Sequence, residues 1–395
     1  MSAPAPGRFA TTSSRGLRLN SAPMRLYQQA KRAAAWDPRA IDFATDARDW
    51  RRLTDVERDL LLRLTALFQA GEEGMTLDAA PLLVSVARER RLEEEIFLAT
   101  LLADEAKHTE FFRRVLDDVC RATDDLDRFH SPSFRALFSE ELPRLMSRLL
   151  EDPSPAALAE AVVAYTLIGE GVLSETGHHL YVRAVRPRAL LPGLLSGLAQ
   201  VQRDEARHMT FGVYLLSRLV GQDPAVWPVV QRSMNVLLAQ ALGIVTEFFE
   251  PYPRAPFGLT LEDTVSYAMS RFARRSARIE RAQKGGVPAV ERAGDPGQEM
   301  EEWLAERVAP GTVTRANGPG GILLLQVRHD AGPSSLLVTV DVLERYVVEE
   351  ITAALDDRSV PERLGAEPGL RLACLEVGGR IALQEPTGGT GTTTP

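Results

Sequence analysis

Apolar residues recur at three- and four-residue intervals from about Pro23 to about Lys284, so this stretch is predicted to be helical nearly throughout. Asp55-Val56-Glu57-Arg58 opens an amphipathic run that reaches Met75, and a second run extends from Arg91 to Leu116. Pro132 and Pro143 interrupt the pattern. Further helices are predicted from Ala156 to Tyr181, Pro192 to Leu219, Pro228 to Phe249 and Leu261 to Lys284, with a proline-rich turn over 251–256. After Gly285-Gly286 the periodicity changes. A linker over 293–297 leads to a short helix, Met300 to Val308, and two β-like runs, Ile322 to Val327 and Leu336 to Val340. A helix from Val342 to Leu355 and a hairpin, Leu370 to Val377 and Arg380 to Leu383 around Gly378-Gly379, complete the pattern. The expected organisation is mainly α: a helical bundle over 23–290 and a small α+β module over 298–385. Residues 1–22 and 386–395 are expected to be disordered tails.

Composition narrows the function. The 395 residues are 45% hydrophobic, which provides for a sizeable core, and a net charge of −8 argues against nucleic acid as the main partner. With only two cysteines, Cys120 and Cys374, neither a disulfide scaffold nor a thiolate metal site is expected, and a reducing cytoplasm is the default. No run of 18 consecutive apolar residues suggests a transmembrane helix. The first 22 residues lack the apolar core of a secretory signal, and a transit peptide is the alternative to a disordered tail.

The chemistry lies in a repeated pentapeptide. Asp104-Glu105-Ala106-Lys107-His108 and Asp204-Glu205-Ala206-Arg207-His208 place two Glu-x-x-His motifs 100 positions apart. Residues three apart on a helix share a face, so each motif directs a carboxylate and an imidazole at one spot. A glutamate precedes each motif on a separate helix at a similar distance: Glu72 and Glu170. One such motif on a solvated face means little. Two near-identical copies, taking two of only six histidines and flanked by Phe111, Phe112 and Phe211, argue against unrelated surface charges. Four helices supplying four Glu and two His form the ligand set of a dimetal carboxylate centre. Carboxylates bridge hard cations, imidazoles cap them, and four glutamates offset the charge of a divalent pair. Asp104 and Asp204 are candidate acceptors for the ring N–H of the other half's histidine.

With these residues in view, the stretch from about Arg25 to Arg281 resembles the ribonucleotide reductase small-subunit superfamily of the ferritin-like fold. The resemblance rests on Trp36-Asp37-Pro38, Ile41-Asp42 and Trp50, and it implies a hydrogen-bonded chain from Trp36 through Asp204 to His108. Within the superfamily, 71–76 (Gly-Glu-Glu-Gly-Met-Thr) and 164–171 (Ala-Tyr-Thr-Leu-Ile-Gly-Glu-Gly) are most similar to the ligand-binding oxidases. That likeness implies a Mn/Fe centre, with Fe/Fe as the alternative, and dioxygen as oxidant. It also implies a long-chain fatty acid in an apolar channel, a homodimer, and an ether cross-link between a valine and a tyrosine.

Two positions depart from the pattern: Met75 replaces the valine, and His178 stands where a tyrosine is expected. Tyr165 matches the cross-linking tyrosine, but five residues from Glu170 is roughly 140° round a regular helix. Only the resemblance, or a local helix bulge, brings it to the site. Met75, three after Glu72, faces the metals on simple geometry, either as a gap-filling core residue or as a redox-active thioether. His178 lies about 80° round from Glu170 and roughly 12 Å along the helix, lining the channel or facing solvent. Phe112 occupies the position of the reductases' radical tyrosine and is assigned to the channel wall with His178.

The leading expectation is therefore a dioxygen-activating dimetal oxidase or oxygenase acting on a bound hydrophobic ligand. The alternatives are a ribonucleotide reductase small subunit storing an oxidising equivalent on Mn/Fe, and a tailoring oxygenase of a biosynthetic pathway. In the last case the C-terminal module would recruit a partner protein.

Overall fold

The computed structural model describes residues 9–33, 36–292, 296–317, 322–329, 332–346, 348–377 and 380–385. The chain divides into two compact units, Met1–Val290 and Glu291–Pro395. Free Cys120 belongs to the first and free Cys374 to the second.

The first unit is a helical bundle. Its helices are α1 (Ala22–Ala33), α2 (Ala44–Arg52), α3 (Asp55–Asp78), α4 (Ala80–Arg88), α5 (Leu92–Arg114), α6 (Pro132–Phe134), α7 (Leu142–Arg148), α8 (Pro155–Val162), α9 (Glu175–Val185), α10 (Pro192–Gln222), α11 (Trp227–Phe249) and α12 (Leu261–Arg292). A reciprocal cap starts α3. The Thr54 hydroxyl accepts from the Glu57 N–H (3.3 Å), and the Glu57 carboxylate accepts from the Thr54 N–H (2.8 Å). Pro132 sits at the start of α6 behind a Ser131 cap, where a missing N–H costs nothing. Pro143 does not end its helix: it follows a wide π-helical turn, Arg135–Glu141, and lies in the first turn of α7.

A second wide turn is more consequential. Between α8 and α9 the chain forms a π-helix, Val163–Ser174, whose end is marked by the Glu175 N–H donating to the Glu170 carbonyl five residues back. With this bonding, residues five apart stack above one another instead of diverging by roughly 140°. Arg275 of α12 donates to the Gly171 carbonyl in this stretch and pairs with Glu175 just beyond it.

α3 packs on α5, and α10 packs on the π-helix. Close helix approach sets the spacing at two glycines of α10. A Cβ on Gly197 would lie 2.0 Å from Phe111 Cε2, and one on Gly212 would lie 2.1 Å from Thr166 Cγ2. Aromatic side chains fill the surrounding core, including Phe43, Phe68, Phe111, Phe112 and Tyr181. The span Pro155–Arg188 has a mean hydropathy of 1.5 over its most apolar 18 residues, apolar enough to cross a membrane by length and composition; 83% of that window is buried within the protein. It is a core helix carrying buried Glu170.

Residues 9–21 differ from the expected disordered tail. Arg15 Nη2 lies 2.8 Å from Glu93 Oε2, and the Arg18 backbone N–H donates to Glu93 Oε1 at 3.1 Å. Two arginines on one buried carboxylate hold this segment to α5. Residues 1–8 and 386–395, the rest of the expected tails, lie outside the described residues.

The second unit contains α13 (Pro296–Arg307), β1 (Thr312–Asn317), β2 (Leu323–His329), β3 (Gly332–Val338), α14 (Val340–Arg345), α15 (Val348–Asp356), α16 (Val360–Ala366), β4 (Arg371–Val377) and β5 (Arg380–Gln384). The sheet order is β1-β2-β3-β4-β5, antiparallel except for β3 and β4, which run parallel. A parallel neighbour demands a crossover, which α14, α15 and α16 supply. Leu325, Val327, Leu336, Val338, Ile351, Leu364 and Cys374 form its core. The single predicted helix, Val342 to Leu355, is two. β1 and α16 went unpredicted because Thr-Val-Thr-Arg-Ala-Asn is largely polar and Val360–Ala366 is short. Residues 293–295 of the predicted linker and the hairpin glycines 378–379 lie outside the described residues.

A differential prediction follows from the close helix contacts. Gly212→Ala should destabilise by about 1–3 kcal/mol, because its methyl group collides with Thr166. Gly74→Ala in α3, whose Cβ would rest 3.9 Å from Phe138 Cδ1, should be neutral or stabilise by up to about 1 kcal/mol through helix propensity. Thermal unfolding of both variants checks the contrast; equal melting temperatures would contradict it.

Candidate metal centre

Four helical segments bring the six predicted residues together in the bundle interior. Glu72 comes from α3, Glu105 and His108 from α5, Glu170 from the π-helix, and Glu205 and His208 from α10. All six are buried. Their side chains fall into two trios, each with ligand atoms within 4.8 Å of one another: Glu72–His108–Glu205 and Glu105–Glu170–His208. Each motif's glutamate therefore joins the other motif's histidine. His108 Nδ1 is 3.4 Å from Glu72, 3.9 Å from Glu105 and 3.8 Å from Glu205. His208 Nδ1 is 3.1 Å from Glu170 and 3.3 Å from Glu105. Glu105, within reach of both imidazoles, is placed between the two halves.

The opposite ring nitrogens face aspartates. His108 Nε2 donates to Asp204 Oδ2 (3.3 Å), and His208 Nε2 donates to Asp104 Oδ2 (3.4 Å). Both aspartates are held below the usual carboxylate range: burial opposes their charge, but the histidines and neighbouring cations outweigh it. Ionised aspartate only accepts, so Nε2 carries a proton, and Nδ1 is the nitrogen that faces the glutamate cluster and would bind a metal there. Trp36 Nε1 donates to the same Asp204 oxygen at 2.8 Å, and its ring stacks on His108 with centroids 6.3 Å apart.

Two cations absent from the expected site complete this arrangement. Lys107 Nζ reaches Asp104 at 2.7 Å and Asp204 at 3.1 Å. Buried Arg207 pairs with Asp204 and lies 3.6 Å from Asp104. Lys107 and Arg207 thus match the two aspartates, leaving four glutamates to match a divalent pair. The available signal was the basic residue at the same place in both pentapeptides, Asp-Glu-Ala-Lys-His and Asp-Glu-Ala-Arg-His.

The residues fit two metal ions. Both Glu105 oxygens, Glu170 Oε2, Glu205 Oε2 and His108 Nδ1 are buried without a hydrogen-bond partner, an expensive arrangement unless a cation completes it. Burial, with neighbouring glutamates, raises Glu72 and Glu205 above the usual carboxylate range and Glu170 to about 8. On both imidazoles burial opposes charge, but the carboxylates outweigh it and push the pKa well above the ordinary histidine value. This field favours positive charge at the cluster.

Tyr165 and Met75 meet beside the cluster. The Tyr165 hydroxyl donates to the Met75 carbonyl (3.2 Å), while Met75 Sδ and Cε lie 3.3 Å from the Cβ position of Gly169. Burial first, and then the four glutamates, raise the Tyr165 pKa far above the usual phenol value, so it remains a neutral O–H donor.

A mainly apolar cavity of about 90 Å³ opens on Glu72, Glu170 and Glu205, with Met75 and Phe68 in its walls. That is several times the ~10–15 Å³ needed by one water. His178 and Phe112, expected along this channel, do not line it. Both rings stack on Phe68, at 4.9 and 4.6 Å, and so stand behind the wall it forms. Burial lowers the His178 pKa to about 3, making it a neutral buried ring without the charge that would attract an anionic head group.

The fold and site define a ferritin-like dimetal carboxylate protein with a redox-type ligand set. A family model described as ribonucleotide reductase, small chain, matches residues 23–279. Among solved structures, the chain is similar to a valine-to-leucine variant of an R2-like ligand-binding oxidase with anaerobically reconstituted Mn/Fe cofactor. The identity is 34% and the TM-score 0.65, over 69% of this chain and 98% of that one. A valine-to-isoleucine variant with aerobically reconstituted Mn/Fe cofactor matches at 34% identity and TM-score 0.66, over the same shares. The chain belongs to the ribonucleotide reductase small-chain family and, within it, to the R2-like ligand-binding oxidases. It is a dimetal oxidoreductase by class.

Two predictions test the site. Glu105→Ala and His208→Ala should each lose stoichiometric binding of at least one metal, measured by elemental analysis; two metals per chain retained in both would refute the assignment. Because carboxyls and imidazoles must shed protons to bind metal, apparent affinity should rise as pH increases through the region near 8 where Glu170 titrates. Chelator competition at fixed pH values reads this, and a flat profile would contradict it.

Proposed function

We propose that this protein activates dioxygen and uses the resulting oxidant on a hydrophobic, fatty-acid-like ligand held beside the dimetal centre. Glu72, Glu105, His108, Glu170, Glu205 and His208 are the proposed metal ligands. The observation that carries the reading is the cavity: it is walled by Leu64, Phe68, Ile244 and Phe248 and reaches three of the four glutamates. Such a cavity holds an apolar chain, excludes water and brings one end of the ligand to the reacting metals. A manganese–iron or di-iron pair, when bound, supplies the electrons for dioxygen chemistry.

The chain's own residues divide the remaining work. Asp104 and Asp204 orient the imidazoles through Nε2, Lys107 and Arg207 balance their charge, and the hydrophobic walls align the ligand. Met75 lines the cavity, so its thioether is exposed to the same oxidant as the ligand. Tyr165 holds its proton at the hydroxyl that donates to the Met75 carbonyl.

One observation favours a second reading, a reductase-type subunit that stores an oxidising equivalent. The bonds from Trp36 through Asp204 to His108 form a continuous polar path away from the site. Product formation separates the two readings. Mn/Fe-loaded protein should consume dioxygen faster with hexadecanoic acid present and yield an oxidised acid detectable by mass spectrometry. Metal oxidation without any ligand product would favour the storage reading. Met75→Leu should keep both metals but change the oxidation product, read as the mass shift of the peptides on oxygen exposure; no such shift in either protein would remove Met75 from the chemistry.

A further inference from the structure

Of the six residues in the two trios, Glu170 has the least constrained backbone. It alone lies in the π-helix, and Gly169 and Gly171 flank it on both sides. Glycine costs more entropy to fix than any other residue, and a wide turn gives up the regular helix's bonding. A side chain carried there needs a hold from outside the turn. The bonding shows where that hold is applied. In a regular helix the Gly171 carbonyl would accept from the N–H four residues on, that of Glu175. Here the Glu175 N–H points to the carbonyls of Glu170 and Val172 instead. Buried Arg275 of α12 takes its place: Nη1 donates to the Gly171 carbonyl, and Nη2 pairs with the Glu175 carboxylate. Glycine at 171 leaves room for this approach, since a Cβ there would lie 3.2 Å from Nη1.

Glu175 is itself held firmly. Burial opposes its charge, but Arg275 first and then Arg271 outweigh it and keep the carboxyl below its usual range. Arg271 Nε lies 3.0 Å from the other Glu175 oxygen, and the Tyr267 hydroxyl donates to that same oxygen at 3.3 Å. Those two secure Glu175 from its far side; Arg275 adds the bond to the Gly171 carbonyl. We propose that Arg275 is a positioning residue for the metal centre: by fixing the Gly171 carbonyl it sets where Glu170 stands against Glu105 and His208, and so sets that trio's affinity for its metal. This rests on the assignment of Glu170 as a metal ligand. Release of the carbonyl lets the turn tighten toward four-residue bonding, which rotates Glu170 relative to its partners.

The test uses full-length protein, stripped of metal and titrated under argon with manganese(II) alone in competition with a chelator. Wild-type protein should bind two ions. Arg275→Met should keep one at wild-type affinity and bind the other about tenfold more weakly, the low end of what outer partners of metal ligands contribute. Anomalous diffraction from manganese-soaked crystals should place the lost occupancy at Glu105, Glu170 and His208, not at Glu72, His108 and Glu205. Because Arg275→Met also takes a cation from Glu175, Glu175→Gln/Arg275→Met, which removes the charge pair whole, is measured beside it and should show the same selective loss. Arg271→Met, which takes a cation from Glu175 but leaves the Gly171 carbonyl bound, should hold both ions as wild type does. Wild-type affinity for both ions in either Arg275 variant, equal weakening of the two ions, or the same loss in Arg271→Met would overturn the clamp while leaving the ligand assignment standing. Wild-type protein with no ion at Glu105, Glu170 and His208 would sink both.

Discussion

The structure turns on one electrostatic constraint: four glutamates and two aspartates are buried together in the bundle. Ionised carboxylates are costly to take out of water unless opposite charge accompanies them. Two of the required charges are built in, as Lys107 and Arg207 on the aspartates. The others must come from cations at the glutamates, where several oxygens have no protein partner. Metal binding is thus part of the energetics of this core. The histidines join the two layers, with Nδ1 toward the glutamates and Nε2 toward the aspartates.

Backbone geometry serves the same centre. A regular helix would turn Tyr165 away from Glu170, whereas the π-helix of 163–174 stacks residues five apart and presents both on one side. Wide turns are intrinsically weak, and Arg275 holds this one by binding the Gly171 carbonyl and the Glu175 carboxylate. On α10, glycines admit Phe111 and Thr166 where any Cβ would collide. Helix spacing, ligand reach and cavity width are consequently coupled, and the cavity meets the glutamates at the widened turn.

Much of this was legible in the sequence because helical periodicity is a strong signal and the two pentapeptides repeat. Glu72 and Glu170 stand 33 and 35 residues ahead of the motif glutamates, and the resemblance at 71–76 picks Glu72 rather than its neighbour Glu73. Other features depend on three-dimensional neighbours that spacing does not reveal. Lys107 and Arg207 read as solvated charges until the aspartates close around them. Phe68 carries no motif, yet it forms the wall that hides His178 and Phe112 from the cavity. Arg15 and Arg18 looked like tail residues because their partner, Glu93, lies 75 or more positions away. In the second unit, β1 lacks an alternating pattern and is recruited to the sheet by pairing with β2.

The central claim is that this carboxylate–histidine cluster holds two redox metals at the mouth of an apolar cavity. Its most direct test is a crystal structure of metal-loaded protein, with anomalous data collected on both sides of the manganese and iron absorption edges. Two anomalous peaks bounded by Glu72, Glu105, His108, Glu170, Glu205 and His208, with elongated density running from them into the cavity, is the result expected. No metal at these residues in protein loaded with both ions, or metals bound elsewhere, would contradict it.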